Sequence, residues 1–311
     1  MSKIAVILPA YNEALTIEQT IIEFHKALPD AEIVVIDNNS SDSTTQIAND
    51  TFEKMSINGK TLFEGRQGKA NAVRQAFRAI EADVYLMSDA DMTYPANQAK
   101  ELIQPILDNK ADMVVGDRLS GGHYQQENKR AFHGLGNSLV KNLINVLFKA
   151  KLSDIMSGYR AFSRSFVKNY PILVEGFQLE SDMTMHSLDK RFRIQEVCID
   201  YKDRPEGSES KLSTFADGFK VLLIIFQLLR HYRPLVFFGG LSLLFFFTGL
   251  LAGYPVLEDW FLHQYIYHVP LAILSTGLMV IAFISMSLGL ILDSIAHHNK
   301  MKYEQDVVNN S

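Results

Sequence analysis

Two long stretches near the C-terminus, residues 234–257 and 260–292, contain no Lys, Arg, Asp or Glu. A helix needs about 20 apolar residues to cross a bilayer, so each stretch is long enough to span a membrane. A buried helical hairpin in the core of a soluble protein is the alternative interpretation. We predict two spanning helices, because residues 221–292 are mostly apolar whereas residues 1–211 have the composition of an ordinary soluble domain.

The charges around these stretches predict their orientation. Arg233 precedes the first stretch and Lys300 follows the second, while the short connection holds Glu258 and Asp259 and no basic residue. Basic residues concentrate on the cytosolic side of membrane proteins. We therefore predict a multi-pass protein of the cell membrane, with both termini and the polar part of the chain in the cytosol.

The first 120 residues alternate short apolar runs with amphipathic stretches. The runs predict strands at 4–8, 32–36, 61–63, 84–87 and 113–116, and the helical spacings predict helices at 14–28, 68–81, 96–109 and from about residue 43. Strands that alternate with helices form a mainly parallel sheet covered on both faces. A helix at 136–148 and a strand at 194–199 are also expected.

These patterns divide the chain into four parts. We predict an α/β domain over 1–211, an amphipathic helix in the membrane interface over 212–231, two spanning helices over 232–299 and a cytosolic tail over 300–311. The alternative for the amphipathic helix is packing against the α/β domain.

The composition argues against nucleic-acid binding and excludes an internal disulfide. The net charge of -5 argues against a nucleic-acid binder, which normally carries a basic excess. The single cysteine, Cys198, excludes an internal disulfide and fits a reducing compartment.

Acidic residues lie at the carboxyl ends of two of the predicted strands. Asp37 closes the second strand, and Asp89 and Asp91 follow the strand at 84–87. Ligands bind at the carboxyl edge of open α/β sheets, and two acids one residue apart suit a divalent cation that carries a diphosphate. Each segment could alternatively be an ordinary capped loop.

A series of short motifs carries a resemblance over nearly the whole chain. They are PAYNE from Pro9, DNNSSDST from Asp37, QGKANA from Gln67, SDADMTYP from Ser88, VVGDRLS from Val114, SGYRAF from Ser157 and RPEGSESKL from Arg204. Together with the paired apolar stretches, they resemble the family 2 glycosyltransferases, and among these the polyprenyl-phosphate glycosyltransferases of the GtrB-like and dolichyl-phosphate mannosyltransferase-like branch. The resemblance implies an α/β fold of the Rossmann-like GT-A type.

The resemblance also implies roles for residues at the strand ends. The nucleotide would be contacted by Pro9, Tyr11, Glu13, Asp37, Gly68, Lys69 and Asp89. Asp91 would bind Mg²⁺ or Mn²⁺ that bridges the diphosphate. The alternative role for Asp91 is to cap the following helix.

The implied acceptor is a lipid phosphate, which needs positive partners. Arg118 and Arg130 would hold the acceptor phosphate, since guanidinium makes bidentate phosphate contacts. Arg204 and Lys211, in the late basic loop, would close over the donor phosphates. A solvated surface position is the alternative for Arg130, and a salt-bridged core position is one interpretation of Arg160.

The chain departs from the family pattern at two positions. Asn38 stands where the family often has a second Asp, and Thr93 stands where mannosyltransferase relatives often have Gln, two residues after the metal-binding Asp. Asn38 therefore puts one acidic nucleotide contact in question, and Thr93 puts one metal ligand in question. Glu180 and Asp182 lie where related enzymes with hydroxyl acceptors carry a base, and we interpret them as acceptor-side or structural carboxylates.

The expected function is inverting transfer of one sugar from a nucleotide sugar to a polyprenyl phosphate such as undecaprenyl phosphate, for cell-wall or surface polysaccharide decoration. UDP-glucose and UDP-N-acetylglucosamine are the favoured donors, and GDP-mannose is the alternative. A catalytically inactive membrane scaffold is a rival from another class. A processive synthase is disfavoured, because the only tryptophan, Trp260, lies at the membrane edge and not in a Gln-x-x-Arg-Trp motif. The resemblance also implies a homo-oligomer, with a tetramer as one candidate.

Overall fold

The computed structural model describes residues 2–120, 131–174, 179–202, 226, 229–230 and 232–310. The chain divides into two compact units, Met1–Gly218 and Phe219–Ser311.

The first unit is built on one seven-stranded sheet. Its strands are β1 (Ile4–Ala10), β2 (Glu32–Asp37), β3 (Gly59–Phe63), β4 (Val84–Met87), β5 (Met113–Asp117), β6 (Arg160–Ser163) and β7 (Ile194–Cys198). They lie in the order β3-β2-β1-β4-β6-β5-β7. All neighbours are parallel except β6, which runs antiparallel to β4 and β5. The mainly parallel α/β sheet that the sequence predicts is confirmed.

Helices cover both faces of this sheet. They are α1 (Ile17–Ala27), α2 (Thr44–Met55), α3 (Lys69–Ala79), α4 (Ala99–Leu107), α5 (Ala131–Phe148), α6 (Arg164–Asn169) and α7 (Leu179–Asp189), with a short 3₁₀ helix (Ala96–Gln98) before α4. Val6 and Leu8 of β1 pack in the cluster that contains α1 and α4, whereas Ala5 and Ile7 pack in the cluster that contains α3. Because both faces are buried there, strands β1, β2, β4 and β5 are nearly continuous apolar runs.

Strand β6 is the strand that the sequence does not predict, and helices α6 and α7 beside it are also not predicted. It is four residues long and begins with an arginine, so no apolar periodicity marks it. Its first residue, Arg160, pairs with Met87 of β4 and Val115 of β5. Since β6 is antiparallel to both neighbours, it begins at the edge where those strands end.

Arg160 is a core residue with 0% exposure. Its guanidinium donates to the carbonyl oxygens of Ser157 at 2.8 Å and Ile155 at 2.7 Å, and to the hydroxyl of Thr184 at 2.9 Å. Burial lowers the pKa of this guanidinium, while the negative charges of Glu180 and Asp154 act in the opposite direction. Arg160 thus fastens the segment before β6 to helix α7 through backbone and hydroxyl oxygens.

The second unit contains two long helices, α8 (Pro234–His263) and α9 (Val269–Asn310). By length and composition, both are long and apolar enough to cross a membrane. Hydroxyl groups link them: Ser242 Oγ donates to the carbonyl of Ala282, and Ser275 Oγ donates to the carbonyl of Gly249, each at 2.8 Å. Small and hydroxylated residues of this kind are typical of helix contacts in membranes.

The connection between α8 and α9 lies later than the sequence predicts. Glu258 and Asp259 belong to the last turns of α8, and the helix ends at His263. The carboxylate of Asp259 accepts hydrogen bonds from the backbone amides of Tyr267 at 2.8 Å and His268 at 2.9 Å, which closes the turn between the helices. Most of the expected amphipathic helix at 212–231 lies outside the described residues.

Replacing Arg160 with Met should destabilise the first unit. The variant leaves the carbonyls of Ser157 and Ile155 buried without their donor, so the free energy of unfolding should fall by about 2–4 kcal/mol. Thermal unfolding of the full chain in detergent measures the effect. The matched control is Arg78→Met at an exposed position of α3, which should change stability by less than about 0.5 kcal/mol. Equal effects of the two substitutions would contradict the structural role of Arg160.

Candidate active site

The carboxyl ends of β1, β2 and β4 lie side by side. Ala10 of β1 pairs with Asp37 of β2, and Ile7 of β1 pairs with Met87 of β4. The loops that follow these strands therefore meet at one edge of the sheet. This edge is where open parallel sheets bind ligands.

The loops after β1 and β2 are hydrogen-bonded to each other. Asn12 N donates to Ser40 Oγ at 3.0 Å, and the Asn12 side-chain oxygen accepts from Ser41 N at 2.8 Å. Glu13 N donates to Thr44 Oγ1 at 2.9 Å. The two loops thus form one connected surface.

Four of the residues predicted to contact a nucleotide, Pro9, Tyr11, Glu13 and Asp37, lie at or next to this surface. Asp37 is 5% exposed, and its carboxylate accepts from Ser40 N at 3.1 Å. The Tyr11 hydroxyl accepts from Gln67 Nε2 at 3.3 Å. Pro9 lies in β1 beside Ile36. The bound positions of a base and ribose remain predictions.

Asn38 has a structural role in this chain. It is 4% exposed, and its amide nitrogen donates to the carbonyls of Glu64 at 3.2 Å and Arg66 at 2.7 Å. Its side-chain oxygen accepts from Gly68 N at 2.7 Å. Gly68 has φ 123°, which side-chain-bearing residues rarely adopt, and α3 begins at the next residue. A carboxylate in place of the amide could not donate to the two carbonyls.

Lys69, the first residue of α3, lies between two carboxylates. Its ammonium is 2.5 Å from Asp89 Oδ1 and 2.7 Å from Glu180 Oε1. Burial opposes the charged form, but the two carboxylates outweigh it and raise the pKa of Lys69 above its ordinary value. The Lys69 ammonium thereby joins the end of β4 to the start of α7.

Gly158 approaches this ion pair closely. A Cβ at this position would lie 2.8 Å from the Lys69 ammonium and 3.0 Å from Asp89 Oδ2. Any larger residue would displace the lysine side chain. The glycine of the SGYRAF motif therefore makes room for the contact between Lys69 and Asp89.

Asp91 is buried at the end of β4, with 3% exposure. One carboxylate oxygen accepts from Thr93 Oγ1 at 2.6 Å and from Thr93 N at 3.2 Å. The following 3₁₀ helix has Pro95 at its N-cap position and no side-chain cap, so Asp91 does not cap it. Thr93, where mannosyltransferase relatives often have Gln, thus orients the Asp91 carboxylate.

Asp91 fits a cation that shares its coordination with a substrate. In the described residues, no group of three or more His, Cys, Asp and Glu side chains could hold a metal ion. Mg²⁺ is commonly bound by one or two carboxylates together with substrate phosphates. The Asp91 carboxylate is therefore suited to a metal–diphosphate complex.

Arg118 follows β5 at the same edge and is held from two sides. Its guanidinium makes a bidentate pair with Asp154, with N–O distances of 2.7 and 3.0 Å, and lies 5.5 Å from the centroid of the Tyr201 ring. Burial would raise the pKa of Asp154, but the Arg118 charge and hydrogen bonds to the carboxylate outweigh it and lower that pKa. The pair therefore stays ionised at neutral pH and weakens only as the pH falls through this lowered pKa.

Tyr94 connects the two halves of the edge. Its hydroxyl accepts from Gly158 N at 2.8 Å, and its ring packs against Tyr159 and Tyr201 at centroid distances of 5.3 and 5.5 Å. Burial raises the pKa of Tyr94. Sequence reasoning missed Tyr94 and Asp154; the only available signal for Tyr94 was its place in the SDADMTYP motif.

The remaining candidates divide into two groups. Glu180 pairs with Lys69, and Asp182 accepts from the Tyr170 hydroxyl at 2.7 Å. The other basic candidates, Arg130, Arg204 and Lys211, lie outside the described residues.

Replacing Asn38 with Asp should destabilise the edge. The new carboxylate would face the Glu64 and Arg66 carbonyls, so we expect a loss of about 2–4 kcal/mol in the free energy of unfolding. Thermal unfolding measures the loss. The matched control is the exposed neighbour Asn39→Asp, which adds the same charge without burial. Similar stability of both variants would show that the buried amide is dispensable.

A family model described as glycosyl transferase family 2 matches residues 5–170. The glycosyltransferase AglJ of Haloferax volcanii is 28% identical over 305 residues, which cover 96% of this chain and 96% of that protein. The dolichyl-phosphate hexose transferase of the same organism is 28% identical over 216 residues, 69% of this chain and 89% of that protein. The glucosyl-3-phosphoglycerate synthase of Mycobacterium tuberculosis, solved with Mn²⁺ and UDP-glucose, matches with a TM-score of 0.53 at 21% identity, covering 73% of this chain and 78% of that chain. This chain, with its GT-A fold, belongs to glycosyl transferase family 2 and is an enzyme of the transferase class.

Proposed function

We propose that this enzyme transfers one sugar from a nucleotide sugar to a polyprenyl phosphate at the cytosolic face of the cell membrane. The proposal is based mainly on one observation: Asp91 and Arg118 lie at the same carboxyl edge of the sheet. Asp91 lies in one part of this edge and Arg118 in the other, and Tyr94 connects the two parts. A metal–diphosphate suits the first part, and a phosphate monoester suits the second.

The donor is a UDP-sugar, UDP-glucose or UDP-N-acetylglucosamine. The solved glucosyl-3-phosphoglycerate synthase, which shares the fold, holds UDP-glucose with Mn²⁺. The base and ribose lie against Pro9, Tyr11, Glu13 and Asp37. The other proposed nucleotide contacts are Gly68, Lys69 and Asp89. GDP-mannose is the alternative donor.

The cofactor is Mg²⁺ or Mn²⁺, with Asp91 as its protein ligand. Such a cation neutralises charge that develops on a departing diphosphate. Thr93 holds the carboxylate in one orientation through two hydrogen bonds. Arg204 and Lys211 supply further positive charge to the diphosphate.

The acceptor is the phosphate of a polyprenyl lipid such as undecaprenyl phosphate. The dolichyl-phosphate hexose transferase of Haloferax volcanii, named for a lipid phosphate of this class, supports the choice. Arg118 binds this phosphate together with Arg130. Asp154 and Tyr201 fix the Arg118 guanidinium before the acceptor arrives, which lowers the entropic cost of binding.

The reaction needs no general base. A phosphate monoester has a second pKa near about 6, so it is largely dianionic at neutral pH. An acceptor phosphate oxygen attacks the anomeric carbon as the bond from that carbon to the diphosphate breaks, and the nucleoside diphosphate leaves with the electron pair. This single displacement inverts the configuration. Glu180 and Asp182 are engaged by Lys69 and Tyr170, in agreement with a structural role.

The proposed location follows from α8 and α9. Both helices span the cell membrane, with both chain termini in the cytosol, and residues 212–231 lie in the interface. The catalytic domain comprises residues 1–211 and the tail residues 300–311. The protein forms a homo-oligomer through its membrane segments, and its products serve cell-wall or surface polysaccharide decoration.

A transfer assay tests the proposal. Labelled UDP-glucose, UDP-N-acetylglucosamine and GDP-mannose are offered with undecaprenyl phosphate in detergent, with and without Mn²⁺. We expect a lipid-soluble product from one donor, which chelation abolishes. Asp91→Asn should lower the rate by roughly 10²–10³-fold, whereas Asp50→Asn, at an exposed position of α2, should leave it unchanged.

The other outcomes of this assay are equally informative. Metal-dependent UDP binding without any product would contradict the lipid acceptor and retain the donor site. The absence of both product and nucleotide binding would favour the inactive membrane scaffold.

Replacing Arg118 with Lys should weaken binding of the lipid phosphate acceptor and leave binding of the nucleotide-sugar donor unchanged. An ammonium cannot reproduce the bidentate contacts of guanidinium, so KM for the lipid phosphate should rise by roughly tenfold or more. The KM for the nucleotide sugar should stay within about twofold. Arg193→Lys serves as the control, because Arg193 is an exposed arginine that likewise pairs with an aspartate, Asp112. A rise in the donor KM alone would place Arg118 on the nucleotide side.

A further inference from the structure

Glu196 occupies an inward-facing position of β7, the last strand of the sheet. It pairs with Val115 of β5, which belongs to one of the two core clusters. Ile194, two residues before Glu196 and therefore on the same face of the strand, packs against that cluster. A carboxylate at such a position loses water, so it needs hydrogen-bond donors from the protein.

Two backbone amides supply these donors. Glu196 Oε1 accepts from Ser153 N at 2.8 Å and from Asp154 N at 2.9 Å, and Glu196 Oε2 accepts from Ser153 N at 2.9 Å. Burial raises the pKa of Glu196, and the negative charges of Asp117 and Asp154 act in the same direction, whereas the two amides oppose the change. The amides therefore stabilise an ionised group that its other surroundings disfavour.

A third amide of the same segment is held by α5. Asn145 Oδ1 accepts from Leu152 N at 3.0 Å, and Asn145 Nδ2 donates to the Leu152 carbonyl at 2.9 Å. Three consecutive backbone N–H groups, at 152–154, are thus bound by side chains of α5 and β7. The segment that leads from α5 to β6 is therefore fixed from two sides.

This fixed segment ends at the carboxylate that holds Arg118. The side chains of Asp154 and Arg118 are only 2% and 11% exposed, and they form a bidentate pair. Asp154 Oδ1 also accepts from Met156 N at 3.1 Å. Because the pair is enclosed, a displacement of the Asp154 backbone would change the direction of the Arg118 guanidinium.

We propose that Glu196 is a positioning residue for the acceptor phosphate, because it holds the backbone of Ser153 and Asp154 and so orients Arg118 through Asp154. Glu196 acts through Asp154 and not by contact with a substrate. The inference rests on the proposed function, in which Arg118 binds the lipid phosphate. Bidentate recognition of a phosphate depends on the direction of the guanidinium plane, so a loosened Asp154 weakens binding of the acceptor and leaves binding of the donor unchanged.

The substitution Glu196→Ala tests this inference in the full chain in detergent. The KM for undecaprenyl phosphate should rise by roughly threefold to tenfold, because Arg118 must then be ordered during binding. The KM for the nucleotide sugar should stay within about twofold. Glu196→Gln retains an oxygen that can accept from both amides, so it should keep the acceptor KM within about twofold of that of the unsubstituted chain.

Asp112→Ala is the matched control. Asp112 lies just before β5, at the opposite edge of the same two strands, and its carboxylate accepts from Arg193 N at 2.9 Å. Each alanine substitution removes a carboxylate that holds a backbone amide, so both should lower the thermal unfolding temperature. Only Glu196→Ala should raise the acceptor KM, which separates positioning from a general loss of stability.

A double-mutant cycle tests whether Glu196 acts through Asp154. In the Asp154→Ala background, Glu196→Ala should change the acceptor KM by less than about twofold, because the carboxylate that it positions is already absent. Equal fold-changes in both backgrounds would overturn the inference, and so would an unchanged acceptor KM in the single variant Glu196→Ala. The absence of any lipid product from the unsubstituted chain would instead contradict the proposed function, and this inference with it.

Discussion

The reversed direction of β6 determines which side chains meet at the carboxyl edge. Because β6 is antiparallel to β4 and β5, the segment before it enters the sheet where its neighbours end. Asp154 therefore reaches Arg118, and Gly158 reaches Lys69 and Asp89. A parallel β6 would begin at the opposite edge, about 13 Å away for a strand of four residues. Arg160 secures the arrangement from within the core.

The carboxylates at this edge are held in chemically different ways. Asp89 shares the ammonium of Lys69 with Glu180, and Asp154 is paired with Arg118. The hydrogen bonds from Thr93 to Asp91 come from neutral groups, so they orient the carboxylate without cancelling its charge. At this edge, Asp89 is therefore bound by a lysine, whereas Asp91 is oriented by hydrogen bonds from Thr93.

The sequence predicted the strands and helices that are marked by a pattern of neighbouring residues. Apolar runs gave β1, β2, β4 and β5, and parallel pairing of such runs is enough to bring Asp37 and Asp89 to one edge. The reversal of β6 has no local signal, because its register depends on contacts far apart in the sequence. Asp154 and Tyr94 were missed for the same reason: their partners, Arg118 and Gly158, are 36 and 64 residues away. The turn at 264–268 was misplaced because helix propensity ignores the hydrogen bonds that close it.

The departure from the family pattern at Asn38 follows from how the loops at the carboxyl edge are held together. Asn38 must donate to two carbonyls in the segment that begins at Glu64, and only an amide or another donor can do so. Glu64 already forms a bidentate pair with Arg66, and its pKa is lowered to about 2, chiefly by the hydrogen bonds from Arg66. A second carboxylate there would meet carbonyl oxygens and an ionised acid in a site with little water. Asn38 therefore holds this loop in place by hydrogen bonds and does not supply a second carboxylate. Asp37 is the acid at the end of β2.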